Sequence, residues 1–276
     1  MNLFLHGIGG STPDAASSIE VRDSLAQEPS KHVSMVMTNP PFGKKSSITM
    51  IGDDGKAVAA DITISRPDFW ATTSNKQLNF VQHVRSMLEI NGTAAMVVPD
   101  NVLYDTGVGE KIRRRLLQDC DVHTLLRLPN GLFYANTVLA NVLFFERRAA
   151  SLDAPSTREV WVYDFRTNQH FTLKTQPVER QHLDDFVALY RPGERHKREE
   201  AENFRRWTFE ELDGRPDFNL DVWAYVEDRS LDEAAQIPPP EVLAEEIITT
   251  VSAALNEFAT VAAEFGVDLD GDTDRH

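Results

Sequence analysis

Cysteine is nearly absent: Cys120 is the single one in 276 residues. One cysteine excludes an internal disulfide framework and any Cys-x-x-Cys or Cys-His zinc site, and it fits a reducing, cytoplasmic setting. Long apolar runs are missing too. None approaches the ~20 residues that a membrane-spanning helix needs, so no membrane partner is expected. Met1 to Gly7 has neither the basic flank nor the long apolar stretch of a secretory signal. His6, His32, His83 and His123 lack metal-ligand spacing and carry no assigned role, so no metal is expected. Positive charge is in deficit, with a formal net charge of −15. The deficit is local. Phe209 to His276 holds 18 acidic and 3 basic residues, which leaves Met1 to Thr208 balanced at 25 of each. An acidic tail repels phosphate, so any nucleic-acid work belongs to the first part or to a partner.

What is present begins with Asn39-Pro40-Pro41-Phe42, directly after the apolar run Val33-Ser34-Met35-Val36-Met37-Thr38, which reads as a buried strand. A chance match to such a four-residue pattern is expected roughly once in several hundred chains of this length. The pattern has a mechanism. The Asn39 amide oxygen and the Pro40 carbonyl are two acceptors for one planar amino group. Pro40 and Pro41 fix the backbone and leave no N–H donors to compete. Phe42 offers a flat face on which a base can stack. The plainer alternative is a strand that ends in a rigid turn.

Around the motif the elements alternate. Ile19 to Asp23 reads as a strand ending at Asp23, and Gly43 to Trp70 as a long, irregular, functional loop. Leu78, Val81, Val84, Met87 and Leu88 share one face of a helix over 75–90, closed by Asn91-Gly92. A buried strand over 93–98 stops at Pro99. A short helix over 110–118 carries Arg113-Arg114-Arg115, either a phosphate contact or a solvated face. Strands over 125–128 and 138–145 suggest an antiparallel pair at a sheet edge. Ala149 to Thr157 is a small-residue loop, followed by a strand over 160–165 and a helix over 182–190. Arg191 to Arg206 is highly charged and reads as exposed. Beyond Pro238-Pro239-Pro240, Leu243, Ile247, Val251, Ala254, Phe258, Val261 and Phe265 step by 4, 4, 3, 4, 3 and 4. That stripe fits a helix packed on its own domain or one that docks on another subunit.

Taken in order, these stretches resemble the modification (M) subunit of type I restriction-modification systems, an N6-adenine DNA methyltransferase. Arg22-Asp23-Ser24-Leu25 looks like the strand end whose aspartate approaches the adenine of the cofactor. Asn39 to Phe42 looks like the catalytic motif. Leu128-Pro129-Asn130-Gly131-Leu132-Phe133, then Asn141 to Phe145, look like the base-pocket region and last strands. Val162 to Asn168 and Phe218-Asn219-Leu220-Asp221 resemble segments beyond the catalytic core.

The resemblance implies an α/β fold: part of a Rossmann-like, class I S-adenosylmethionine-dependent methyltransferase sheet over 1–175, then an acidic, mainly helical region over 176–276 for subunit contacts. It implies S-adenosyl-L-methionine as cofactor. Its partners would be DNA, a specificity (S) subunit, a second M subunit and a restriction (R) subunit. Asn39 and Pro40 would hold the amino group of a flipped adenine, with Pro41 fixing the turn. Phe42 and Phe133 would stack on the base, and Asp23 would bind cofactor. Two of these have plain alternatives: Phe133 as a core aromatic, Asp23 as a turn residue. One departure is large. Glycine-rich His6-Gly7-Ile8-Gly9-Gly10 lies 32 residues before Asn39, whereas the intervening βαβ units of the family need about 30 residues each. The main cofactor loop is therefore expected to be missing, and the chain to begin partway through its catalytic domain. Two readings compete: an RNA or protein N-methyltransferase with the same motif, and a remnant that binds partners without catalysis.

Overall fold

Val33 to Thr38 forms the expected strand, β1 (Val33–Thr38), but it is not buried as a whole. Val36 faces the core, while Met35 and Met37 are 62% and 77% exposed. The period of two puts these two methionines on the opposite face from Val36. The structure, a computed structural model, describes residues 21–43, 47–51, 57–61, 63–133, 138–149, 151, 154–166, 171, 176–223, 248 and 251–252. The glycine-rich 6–10 stretch and almost all of the expected 241–265 helix lie outside them.

After β1 come β2 (Ser47–Ile51), β3 (Ala57–Asp61), α1 (Lys76–Met87), β4 (Leu88–Pro99), α2 (Asn101–Tyr104) and α3 (Val108–Asp119). They are followed by β5 (Cys120–Arg127), β6 (Ala140–Arg147), β7 (Glu159–Asp164), α4 (Asp184–Tyr190), β8 (Phe204–Thr208) and α5 (Phe209–Asp213). Six strands form one sheet in the order β1-β4-β6-β5-β7-β8. The pairs β1/β4 and β5/β7 are parallel; β6 runs antiparallel to both β4 and β5. Thus β1, β4, β5 and β7 all point their carboxyl ends the same way. The 125–128 and 138–145 strands do pair antiparallel, but not at an edge. β7 and β8 extend the sheet beyond β5, and β4 and β1 extend it beyond β6.

Helices line both faces. Leu78, Val81 and Val84 of α1 and Ile112, Leu116 and Leu117 of α3 pack with Val36, Met96, Val98, Leu125, Phe145 and Val162. The other face carries an aromatic cluster, in which Trp161, Tyr163 and Phe204 join Phe186 of α4. Trp161 and Phe204 stack at 4.8 Å between centroids. The alternation of Val160 and Val162 with Trp161 and Tyr163 assigns each side of β7 to its own cluster.

Two further expectations change. The 43–70 stretch is not irregular throughout: β2 and β3 form an antiparallel hairpin from Ser47↔Asp61 to Ile51↔Ala57. Asn91 takes the expected left-handed conformation at φ +66°, yet α1 has already ended at Met87 and Asn91 sits inside β4. The described residues of 149–157 form the expected loop, whose Thr157 is buried, donates its hydroxyl to the Cys120 carbonyl at 2.6 Å and accepts from Val122 N–H at 2.8 Å. The chain divides into two compact units, Met1–Tyr225 and Val226–His276. The ladder from Glu159↔Thr208 to Tyr163↔Phe204 brings β8 into the first unit's sheet.

The polar side of α1 is buried as well. Gln82 exchanges two hydrogen bonds with the backbone of Ala71 at 2.9 and 3.0 Å, and Asn79 donates to the Thr73 carbonyl at 2.9 Å. The 66–73 segment therefore covers the polar face of α1. Arg66 lies there, donating to Ser24 O at 3.3 Å and to His83 Nδ1 at 3.1 Å. An arginine donates only, so His83 must present an unprotonated Nδ1. Burial first, and the Arg66 charge second, push its pKa down to about 4. A histidine whose folded pKa lies below its unfolded value contributes stability above about pH 6.5 and loses it as pH falls toward 4. The urea midpoint should therefore drop over that window, and His83→Gln should flatten the drop. An unchanged slope in the variant would refute the assignment.

Candidate active site

Asn39-Pro40-Pro41-Phe42 leaves β1 at its carboxyl end. That is the edge of a parallel arrangement where ligands bind in α/β sheets. Pro40 is buried, Asn39 and Pro41 are exposed, and Phe42 is half-buried. The two prolines sit against the end of β4, at Met96 to Pro99. Asn39 is thus presented to solvent on a backbone that two pyrrolidine rings hold rigid.

The Phe133 loop comes from the carboxyl end of β5. Leu128 N–H donates to the Ala140 carbonyl at 3.0 Å and closes the loop base. Gly131 takes φ +83°, a conformation that favours glycine, and turns the chain toward the motif. The Phe42 and Phe133 rings then meet edge to face, with centroids 5.0 Å apart and planes at 67°. Two aromatics 91 positions apart in sequence are brought into contact beside Asn39. A cleft of about 330 Å³ opens next to them, lined by Phe42, Gln77, Pro99, Asp100, Asn101, Tyr104, Val138 and Leu139. Burial, then the charges of Asp100, Asp105 and Asp221, raise the pKa of the Tyr104 phenol, which stays protonated.

Asp23 stands elsewhere. Val21 to Asp23 is not a strand; Asp23 opens a turn, its Oδ1 accepting from Leu25 N–H at 2.9 Å and its carbonyl from Ala26 N–H at 3.3 Å. Short polar side chains do this readily, and the brief alternation over Ile19 to Asp23, of which Ile19 and Glu20 lie outside the described residues, was too short to mark a strand. Arg66 ties this turn to the His83 side of α1, whereas the motif meets the first turn of the same helix.

The three adjacent arginines part company. Arg113 is 2% exposed and donates to the carbonyls of Phe218, Val102, Asp105 and Asp217 at 2.6 to 3.1 Å. It is a brace between α3 and the 217–218 segment and does not meet phosphate. Arg114 pairs with Glu110 and Asp213, and Arg115 lies 3.9 Å from Asp119. A signal for Arg113 was present: Leu116 and Leu117, three and four residues on, share its face.

Sequence reasoning also missed a polar layer at the same edge of the sheet. Arg127, buried at the end of β5, reaches Asp100 at 3.4 Å, Asp221, and the Val222 carbonyl at 3.3 Å. Buried Asn141, which begins β6 beside Ala140, donates to Asp100 at 2.7 Å. Arg166 pairs with both oxygens of Asp164 at 2.8 and 2.6 Å and lies 3.9 Å over the Trp223 ring. Groups of His, Cys, Asp and Glu able to hold a metal are absent among the described residues.

The sequence model of the N-6 DNA Methylase family matches residues 1–234. The methylase subunit of type I restriction enzyme StySJI of Salmonella typhimurium is 34% identical over 310 aligned positions, covering 100% of this chain and 55% of the relative. The EcoKI methylase subunit of Escherichia coli gives the same identity and the same shares. The crystal structure of the EcoKI M protein superposes with a TM-score of 0.65 at 32% identity, covering 99% of this chain and 59% of that one. The chain thus spans about half the length of the curated relatives it matches.

Proposed function

Because the chain belongs to the N-6 DNA methylase family, we propose that it carries the base-gripping half of an N6-adenine DNA methyltransferase site of a type I restriction-modification assembly. The observation that carries this reading is the meeting of Phe42, which lines the cleft, with Phe133 beside the exposed Asn39. In the duplex the adenine amino group is engaged in pairing, so the target base is flipped out. Its two N–H bonds are accepted by Asn39 Oδ1 and the Pro40 carbonyl. Held this way, the nitrogen turns its lone pair outward. Phe42 stacks on the base plane, and Phe133 closes the pocket edge-on. Positioning of this kind can supply several kcal/mol of a barrier. None of the four motif residues titrates, so the grip itself is independent of pH.

S-adenosylmethionine is the methyl donor that the family implies. Of the described residues, Asp23 is the candidate contact for it, with an exposed carboxylate that already spends Oδ1 on the Leu25 N–H. One carboxylate does not make a cofactor site; the described residues supply the base side of the reaction. In this reading the 176–276 region makes the subunit contacts. The partners are DNA, an S subunit that reads the sequence, a second M subunit and an R subunit.

The test is methyl transfer from labelled S-adenosylmethionine by the full chain combined with its S subunit. Duplex DNA, RNA and a glutamine-bearing protein are offered in separate arms. Label on adenine N6 in the DNA arm is the expected result. Label in either other arm would move the substrate, and no label in any arm would favour the partner-binding remnant.

A further inference from the structure

The motif is not held by its prolines alone. Gln77, in the first turn of α1, donates its side-chain Nε2 to the Phe42 carbonyl. Its Oε1 accepts from Asn101 Nδ2 at 2.7 Å. Asn101 also donates to Asp105 Oδ2 at 3.1 Å, and Asn75 Nδ2 donates to that same oxygen at 3.2 Å. Gln77 and Asn101 are 5% and 7% exposed. Buried amides must find partners, and here the partners form one line: Asp105, Asn101, Gln77, Phe42.

The line has a direction. A carboxylate accepts only, so Asp105 obliges Asn101 to turn its amino group inward. Asn101 then obliges Gln77 to present oxygen to it. The Gln77 amino group is left for the Phe42 carbonyl. Flipping either amide would set two acceptors, or two donors, face to face. The carboxylate at one end therefore dictates a donor at the motif.

From this geometry we infer that Gln77 is a positioning residue for the base grip, deepening the reading given under Proposed function. Its bond takes up the Phe42 carbonyl and leaves Asn39 Oδ1 and the Pro40 carbonyl as the motif's two acceptors for the amino group. It also fixes the Phe42 peptide against α1, so that the ring stands at its 5.0 Å contact with Phe133. Glutamine is required at this place because a single side chain must accept at one end and donate at the other.

Two variants test it. Gln77→Leu keeps much of the volume and loses both bonds. Gln77→Glu keeps the acceptor toward Asn101 and loses the donor, except when its carboxyl is protonated. In the purified full chain, cleavage by chymotrypsin after Phe42, followed by mass spectrometry, should speed up roughly tenfold in Gln77→Leu and not in Asn39→Ala. In the DNA methylation assay with the S subunit, kcat should fall roughly 10- to 100-fold in Gln77→Leu while KM for DNA moves less than about threefold. Gln77→Glu should match that loss at pH 8 and recover, relative to the parent at the same pH, as pH approaches about 5. A general loss of stability would not reproduce that recovery. Parental cleavage rates, an unchanged kcat in Gln77→Leu, or a flat pH ratio in Gln77→Glu would each overturn the inference. The proteolysis arm requires no catalysis, so an inactive parent would count against the functional reading while Gln77 is still decided.

Discussion

Asn39→Ala is expected to lower methyl transfer to adenine by about 10²- to 10³-fold, the range seen when one preorganised polar group is removed from a reacting centre. Alanine leaves Pro40, Pro41 and Phe42 in place and removes one of the two acceptors proposed for the amino group. The other, the Pro40 carbonyl, cannot fix the nitrogen alone, because a single hydrogen bond leaves the amino group free to swing about it. Asn39 is exposed, so the change should leave the urea midpoint within about 0.5 kcal/mol of the parent. DNA binding should persist, since Asn39 is uncharged and its removal takes away no phosphate-neutralising group. Single-turnover methylation with labelled donor reads the loss directly. Parental rates would remove Asn39 from the reaction and, with it, the proposed role of the motif.

The largest effect on stability is expected at Arg127. Its guanidinium is buried and serves Asp100 from the end of β4, Asp221 and the Val222 carbonyl from far along the chain. Arg127→Leu removes the charge that both carboxylates share. Breaking a buried pair by deleting one partner costs roughly 3–5 kcal/mol. Asp100 and Asp221 keep 15% and 26% of their side chains in contact with water, which places the expectation at the lower end, about 3 kcal/mol. Urea unfolding measures it, and a loss below about 1 kcal/mol would show that the pairing is incidental. A triple variant with Asp100→Asn and Asp221→Asn should regain part of the loss, since amides left unpaired are less costly than carboxylates.

The motif was legible because four rare residue types stood together at the end of an apolar run. The burial of β1 was not. An apolar run says that a strand exists, but which of its two faces is covered depends on what packs there. Val36 meets the core and Met35 does not. α1 and the interior of β4 were legible through their periods. Charge misled at Arg113, because a run of three arginines hides the fact that a helix turns 100° per residue and sends each one a different way. Asp23 was read as a strand end on too short a stretch, and the local hydrogen bond from Leu25 won. The line from Asp105 to Phe42 could not be found in sequence at all. Its two amides come from two different helices, and glutamine or asparagine in a helix ordinarily signals solvent. Only the fold shows that this face of α1 is closed over.

The insertion of β6 has a kinetic consequence. β4 and β5 lie on either side of it and hold no hydrogen bonds to each other in the finished sheet. A chain emerging from the ribosome presents β1, β4 and β5 before residues 140–147 follow them out. Until then, β4 has β1 on one side and an open row of amides and carbonyls on the other, and β5 has a matching open row. Unpaired strand edges of that kind invite association with other chains. The central seam of the sheet is therefore closed only once β6 arrives, a strand that must enter between two others. The carboxyl-end polar layer, with Arg127 on one flank of the seam and Asp100 on the other, can lock only after that step.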